Sequence, residues 1–123
     1  MIREVVVVEG KNDTLRLQSF FALETIETGG LGLDREKIEY IRAVNEKRGV
    51  ILLLDPDHPG ELIRKKLNDN IPGLKNAFVF KEEARTKKKV GVEHASMEAL
   101  ATALANCLTY REDVEGLVMA DLF

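Results

Sequence analysis

Hydrophobic positions along this chain fall into short apolar runs separated by amphipathic stretches, the alternation that predicts strands leading into helices. The run Val5-Val6-Val7-Val8 lies in a β-branched stretch over residues 2–8 that suits a strand buried on both faces, and Gly10 bounds it. Leu15, Leu17, Phe20, Phe21 and Leu23 then predict a helix, with Asn12, Asp13 or Thr14 available as its cap. Thr25–Thr28 reads as a short second strand running into a turn rich in Gly29, Gly30 and Gly32. Asp34 opens a second helix in which Ile38, Ile41 and Val44 recur at helical spacing until Gly49.

Residues 50–54 form the third apolar run, and Pro59-Gly60 opens a third helix through Leu62, Ile63 and Leu67 to Ile71-Pro72-Gly73. A fourth strand is expected over Ala77-Phe78-Val79-Phe80. Residues 81–91 carry dense charge without apolar periodicity and read as a mobile loop. Ser96 caps a last helix with Met97, Leu100, Ala101 and Leu104 inward. The β-α-β-α-β-α-β order predicts an α/β fold: an open, Rossmann-like parallel sheet of about four strands with helices on both faces. Placing the first and third strands side by side gives the order second-first-third-fourth. Residues 1–107 make the expected domain, and residues 108–123 a tail that either packs on it or begins a further region.

Length and composition narrow the class. A chain of 123 residues with 45% hydrophobic and 32% charged residues fits one globular domain. No apolar run approaches the roughly 20 residues of a membrane span, and the N-terminus lacks a signal-peptide pattern, so a cytoplasmic location is expected. The single cysteine, Cys107, excludes an internal disulfide and reads as a packed thiol. A net charge of -3 leaves any nucleic-acid binding to local basic patches.

The acidic residues change the picture most. Glu9 follows the first strand, and Asp55 and Asp57 follow the third, so a parallel sheet would expose all three along one edge. Two carboxylates two residues apart offer oxygen ligands to a hard cation such as magnesium, though Asp57 is equally suited to capping the next helix. Glu9 is placed to bind metal or to move a proton, two roles with different geometric demands. Gly10 permits close approach of a phosphate, and Lys11 supplies a cation to meet it.

Val-Val-Val-Glu-Gly-Lys-Asn-Asp at 6–13 followed by Leu-Asp-Pro-Asp-His-Pro-Gly at 54–60 resembles the Toprim domain of topoisomerases, bacterial primases and certain nucleases. Glu27-Thr28-Gly29-Gly30, Ile63-Arg64, Pro72–Phe78 and Gly91-Val92-Glu93-His94-Ala95 extend that resemblance, over roughly residues 2–105, to the ribonuclease M-five nucleases, which mature 5S ribosomal RNA precursor. The resemblance implies that Asp55 and Asp57 bind magnesium with help from Glu9, and that Glu9 acts in proton transfer. It also implies hydrolysis of both strands of a precursor helix on RNA carrying its 5S-binding large-subunit ribosomal protein. That family continues into a C-terminal RNA-binding region, of which residues 108–123 would be the start.

Basic residues supply the expected RNA contacts: Lys11 after the first strand, Arg64 and Lys65 on the third helix, Arg85, Lys87, Lys88 and Lys89 in the charged loop, and His94 beyond it. Cations flanking an acidic site offset its repulsion of a polyanion and gain from counterion release. His58 reads as a surface side chain near phosphate, and Glu93 as a candidate for a second metal. Two other readings stay open. A phosphatase or receiver-like domain also carries strand-end acids, but Pro59 stands where a phosphatase motif would have threonine or serine. Another Toprim nuclease, a primase-related protein or a non-catalytic nucleic-acid-binding module would share the same acidic edge.

Overall fold

Four strands of the computed structural model, which describes residues 2–30, 32–80, 85–86 and 89–109, run parallel and carry helices on both faces. The elements are β1 (Val5–Val8), α1 (Lys11–Phe20), β2 (Glu24–Glu27), α2 (Arg35–Arg48), β3 (Val50–Leu53), α3 (His58–Asn70) and β4 (Lys75–Ala77). β5 (Arg85–Thr86), β6 (Lys89–Val90), a short 3-10 helix (Val92–His94), α4 (Met97–Ala105) and β7 (Leu108–Thr109) follow. The main sheet has the order β2-β1-β3-β4-β7, with β7 antiparallel to β4. The expected order of the four parallel strands is therefore the observed one.

Alternation along the central strands explains the two cores. Val6 and Val8 of β1 and Ile51 and Leu53 of β3 point to one face, where Leu17 of α1 and Ala99, Leu100 and Ala103 of α4 cover them. Val7, Val50, Leu52 and Leu54 point to the other, against Ile38 and Ile41 of α2 and Ile63 and Leu67 of α3. β1 and β3 can be apolar at every position because both of their faces are buried, and each such side chain contributes about 1.5–3 kcal/mol of burial.

Helix ends follow their local chemistry. The Asp34 side chain accepts from the Lys37 N–H at 2.9 Å, Ser96 accepts from Ala99 at 3.1 Å, and Asp57 accepts from Gly60 at 2.8 Å. α2 stops at Gly49, whose φ of 85° is open chiefly to glycine. α1 starts earlier than the Asn12-Asp13-Thr14 segment suggests. Gly10 is its N-cap, and Asp13 reaches back to accept from the Gly10 N–H at 3.1 Å.

Two strand expectations need correction. β4 occupies Lys75–Ala77 rather than 77–80, because the pairing Ile51↔Lys75, Leu52↔Asn76, Leu53↔Ala77 ends where Phe78 turns outward. At the start of that strand Lys75 pairs with Glu4 at 2.6 Å, which lowers the carboxyl pKa and raises that of the ammonium. The charged segment is not wholly irregular either: Arg85↔Val90 and Thr86↔Lys89 pair as an antiparallel ribbon, its backbone bonding overriding the lack of apolar pattern. Lys87, Lys88, the side chains of Arg85 and Lys89, and the tail from Tyr110 onward lie outside the described residues. No helix among the described residues is long and apolar enough to cross a membrane.

Candidate functional site

The chain passes from β1 to β2 on one side and then crosses to β3 on the other, so the sheet's topological switch point lies between β1 and β3. Ligands of open α/β sheets bind beyond the strand C-termini at such a point. Glu9 and Asp55 occupy it. The Asp55 N–H donates to Glu9 Oε2 at 2.8 Å, joining residues 46 positions apart in sequence.

Asp55 is held from the other side as well. The Val92 N–H donates to its Oδ1 at 2.7 Å. Arg16 on α1 fixes that segment by donating from Nε and Nη2 to the Ala95 carbonyl at 2.9 and 2.7 Å. Gly91 lets the segment close over the site, because a Cβ there would lie 3.3 Å from Asp55 Oδ1. Gly60 is required more strictly: its Cβ would fall 2.1 Å from the Asp55 carbonyl oxygen. Asp57 does cap α3, as its structural reading expected, with Oδ1 engaged by the Gly60 N–H and Oδ2 left out of that bond.

Electrostatics mark the cluster as carrying unneutralised negative charge. Burial pushes the Glu9 pKa up, the charges of Asp55 and Asp57 add to the rise, and the Asp55 N–H opposes it, leaving a value of about 7. Asp13 belongs to the same field. It is only 6% exposed, and burial, then Asp55 and Glu93, push its pKa to about 6. Sequence reading treated Asp13 as one of three possible caps. Its signal was a carboxylate at the third position of a helix following Glu-Gly, half of a capping box without the usual Ser or Thr.

Each of Glu9, Asp55 and Asp57 gives one oxygen to a backbone N–H. A carboxylate has a second oxygen and further lone pairs with which to ligate. The donor set is all oxygen and anionic, which fits a hard divalent cation. No three His, Cys, Asp or Glu side chains among the described residues converge closely enough to enclose one.

The basic residues divide. Lys11 is exposed on the first turn of α1, two residues from Glu9, and His58 is exposed at the start of α3. His94 Nε2 stands 3.1 Å from Glu93 Oε1 on the segment that closes over Asp55. Lys65 is exposed and pairs with Asp69 at 2.9 Å. Arg64 contradicts its assignment as an RNA contact. It is 7% exposed, and its guanidinium donates to Asn76 Oδ1 at 3.0 Å and to the Ala77 carbonyl at 2.8 Å. It faces inward because β4 offers it two acceptors, Asn76 Oδ1, which Asn68 of α3 also reaches at 2.8 Å, and the Ala77 carbonyl; burial lowers its pKa.

A Toprim domain model matches residues 4–89. The chain is 49% identical over 107 residues to Ribonuclease M5 of Bacillus cereus, covering 85% of this chain and 57% of that protein. It is 47% identical over 107 residues to Ribonuclease M5 of Bacillus subtilis, covering 85% and 58%. The chain thus spans little more than half the length of the curated relatives it matches. Among solved structures, a small TOPRIM domain protein from Bacillus stearothermophilus has the same fold, with a TM-score of 0.70 at 21% identity over 93% of this chain and 97% of that one. Toprim domains typically bind a divalent metal, as the all-oxygen donor set at the β1/β3 switch point suits. By its matched residues, its sheet order and the acids at that switch point, the chain belongs to the Toprim domain family.

Proposed function

We propose that this chain is the catalytic module of a magnesium-dependent endoribonuclease that hydrolyses phosphodiester bonds in double-stranded precursor 5S rRNA during rRNA maturation. The observation that carries this reading is Glu9, half-buried with a pKa of about 7, hydrogen-bonded to the backbone of Asp55 in a chain nearly half identical to Ribonuclease M5 proteins. Asp55 and Asp57 hold magnesium, with Glu9 as a further ligand or as the group that moves a proton. Bound magnesium supplies Lewis acidity and charge neutralisation at the phosphodiester. A carboxyl with a pKa near 7 is matched to general acid or base work at neutral pH. The Val92 and Gly60 N–H groups keep Asp55 and Asp57 oriented before substrate arrives.

Lys11, Lys65, Arg85, Lys87, Lys88, Lys89 and His94 are the proposed RNA contacts; Arg64 is withdrawn from that set. The proposed partners are precursor 5S rRNA and the 5S-binding large-subunit ribosomal protein, in the cytoplasm. The test is cleavage of precursor 5S rRNA with and without magnesium and the ribosomal protein. Glu9→Gln and Asp57→Asn should abolish magnesium-dependent cleavage, the asparagine keeping an acceptor for the α3 cap. Undiminished cleavage by either variant rejects the assigned role. Magnesium-independent RNA retention without cleavage by the wild type favours a non-catalytic binding module.

A further inference from the structure

Beyond β4 the chain exposes two phenylalanines on the same edge of the sheet as the carboxylates. Phe78 is 41% exposed and Phe80 65%, while Val79 between them is buried in the core. Two large aromatic rings open to solvent at the C-terminal end of a strand have no part in the core or in the acidic cluster. They flank a cleft of about 290 Å³ whose walls include Leu54, Pro56, Glu61 and Arg64. Pro56 stands between Asp55 and Asp57, so the cleft and the acidic site share a wall.

Arg64 gives the cleft its rigidity. Its guanidinium is clamped by Asn76 and Ala77, and its Cζ lies 4.2 Å from the centroid of the Phe78 ring. The ring therefore rests on a fixed, planar cation and does not have to be ordered when something stacks against it, which lowers the cost of binding. The volume lies at the lower limit of the roughly 300–1,000 Å³ typical of small-molecule pockets, a size for one planar group rather than a long side chain or a helix. Glu61, 58% exposed on its side chain, adds a polar acceptor to an otherwise apolar wall.

From the stacked cation and ring, the exposed second phenylalanine and the shared wall at Pro56, we propose that this cleft receives a single unstacked nucleobase of the nucleic acid whose backbone lies on the acidic edge. The proposal rests on the nuclease reading only in taking RNA as the ligand. It adds an aromatic contact that distinguishes a base-bearing strand from a bare sugar–phosphate backbone. Stacking on a protein aromatic is tolerant of base identity and is lost when the ring is truncated, at about one to two orders of magnitude in affinity per base. A duplex presented to the site would then need one nucleotide unstacked beside the phosphate, as enzymes that act on bases require.

The test measures binding of fluorescein-labelled RNA tetranucleotides to the full chain in the absence of divalent metal, comparing a base-bearing tetramer with one carrying a single internal abasic site. The wild type should prefer the base-bearing tetramer by about tenfold or more. Phe78→Leu, which keeps apolar bulk, should erase most of that preference, and Phe78→Tyr should retain it. Equal binding of the two tetramers, binding of neither, or full preference in Phe78→Leu overturns the proposal. Thermal melting of each variant confirms that it is folded. Glu9→Gln separates the two readings: it should keep the base preference while cleavage is lost. A base preference in a protein that never cleaves precursor rRNA rejects the nuclease reading alone.

Discussion

The Glu9–Asp55 edge and the Arg64–Asn76 corner both hold ionisable groups out of water, yet the protein treats them in opposite ways. Around Arg64 the charge is answered: two guanidinium nitrogens reach oxygens, and an aromatic ring covers the plane. Only Nε lacks a hydrogen-bond partner among the described residues, lying 3.8 Å from Glu61. At the sheet edge Glu9 and Asp13 are buried with like charge beside them, so burial first and the neighbouring carboxylates second raise their pKa values. The first arrangement ties α3 to β4. The second costs stability, and a group that costs stability is kept where chemistry needs it.

Four experiments set these regions against each other, beginning with the largest effect. Glu9→Gln or Asp57→Asn should lower magnesium-dependent cleavage by about a hundredfold or more without lowering the thermal midpoint. Arg64→Ala should show the reverse pattern. Taking the guanidinium away from the Ala77 carbonyl, and leaving Asn76 Oδ1 with Asn68 Nδ2 as its remaining donor among the described residues, costs about 3 kcal/mol in denaturant unfolding. Gly60→Ala joins the two regions, because its Cβ would strike the Asp55 carbonyl. It should cost about 2 kcal/mol and reduce cleavage together, by forcing α3 away from Asp55. A fully active, fully stable Gly60→Ala protein would show that the close approach is relaxed in solution.

The smallest effect is a pH dependence. Asp13 and Glu9 have folded pKa values of about 6 and about 7, above their ordinary 3.8 and 4.5. The folded state thus holds these protons more tightly than the unfolded chain. Their stabilising contribution is complete below about pH 4 and is lost as pH rises to about 7. Metal-free protein should become less stable across that window. Asp13→Asn should remove the lower part of the slope and raise stability at pH 8 by about 1–2 kcal/mol, measured by urea unfolding in chelator. A slope unchanged by Asp13→Asn would place the titration elsewhere.

Much of this was legible in the sequence because it rests on periodicity and on local signals. β1 and β3 announce themselves as fully apolar runs, Asp34 and Ser96 as caps, and Gly49 as a stop. The adjacency of β1 and β3 followed from asking which order lets Glu9 meet the aspartates, and the backbone bond at Asp55 is how they meet. Other features depend on tertiary partners. Arg64 looked like surface charge beside Lys65 and Lys66, since nothing local reveals that β4 offers acceptors beneath α3. Asp13 resembled a cap until burial and Asp55 gave it a shared field. The apolar run at Ala77–Phe80 suggested a strand, but its two rings face solvent and the strand ends before them.

The Glu9–Asp55 bond also gives the protein an observable clock. The Asp55 amide just beyond β3 is held by a side chain rather than by the sheet ladder, so its proton is released when the carboxylate swings away, without the strands separating. Its hydrogen-exchange rate therefore reports the motion of Glu9 itself, and its resonance gives a reading of that one side chain against a core that stays closed.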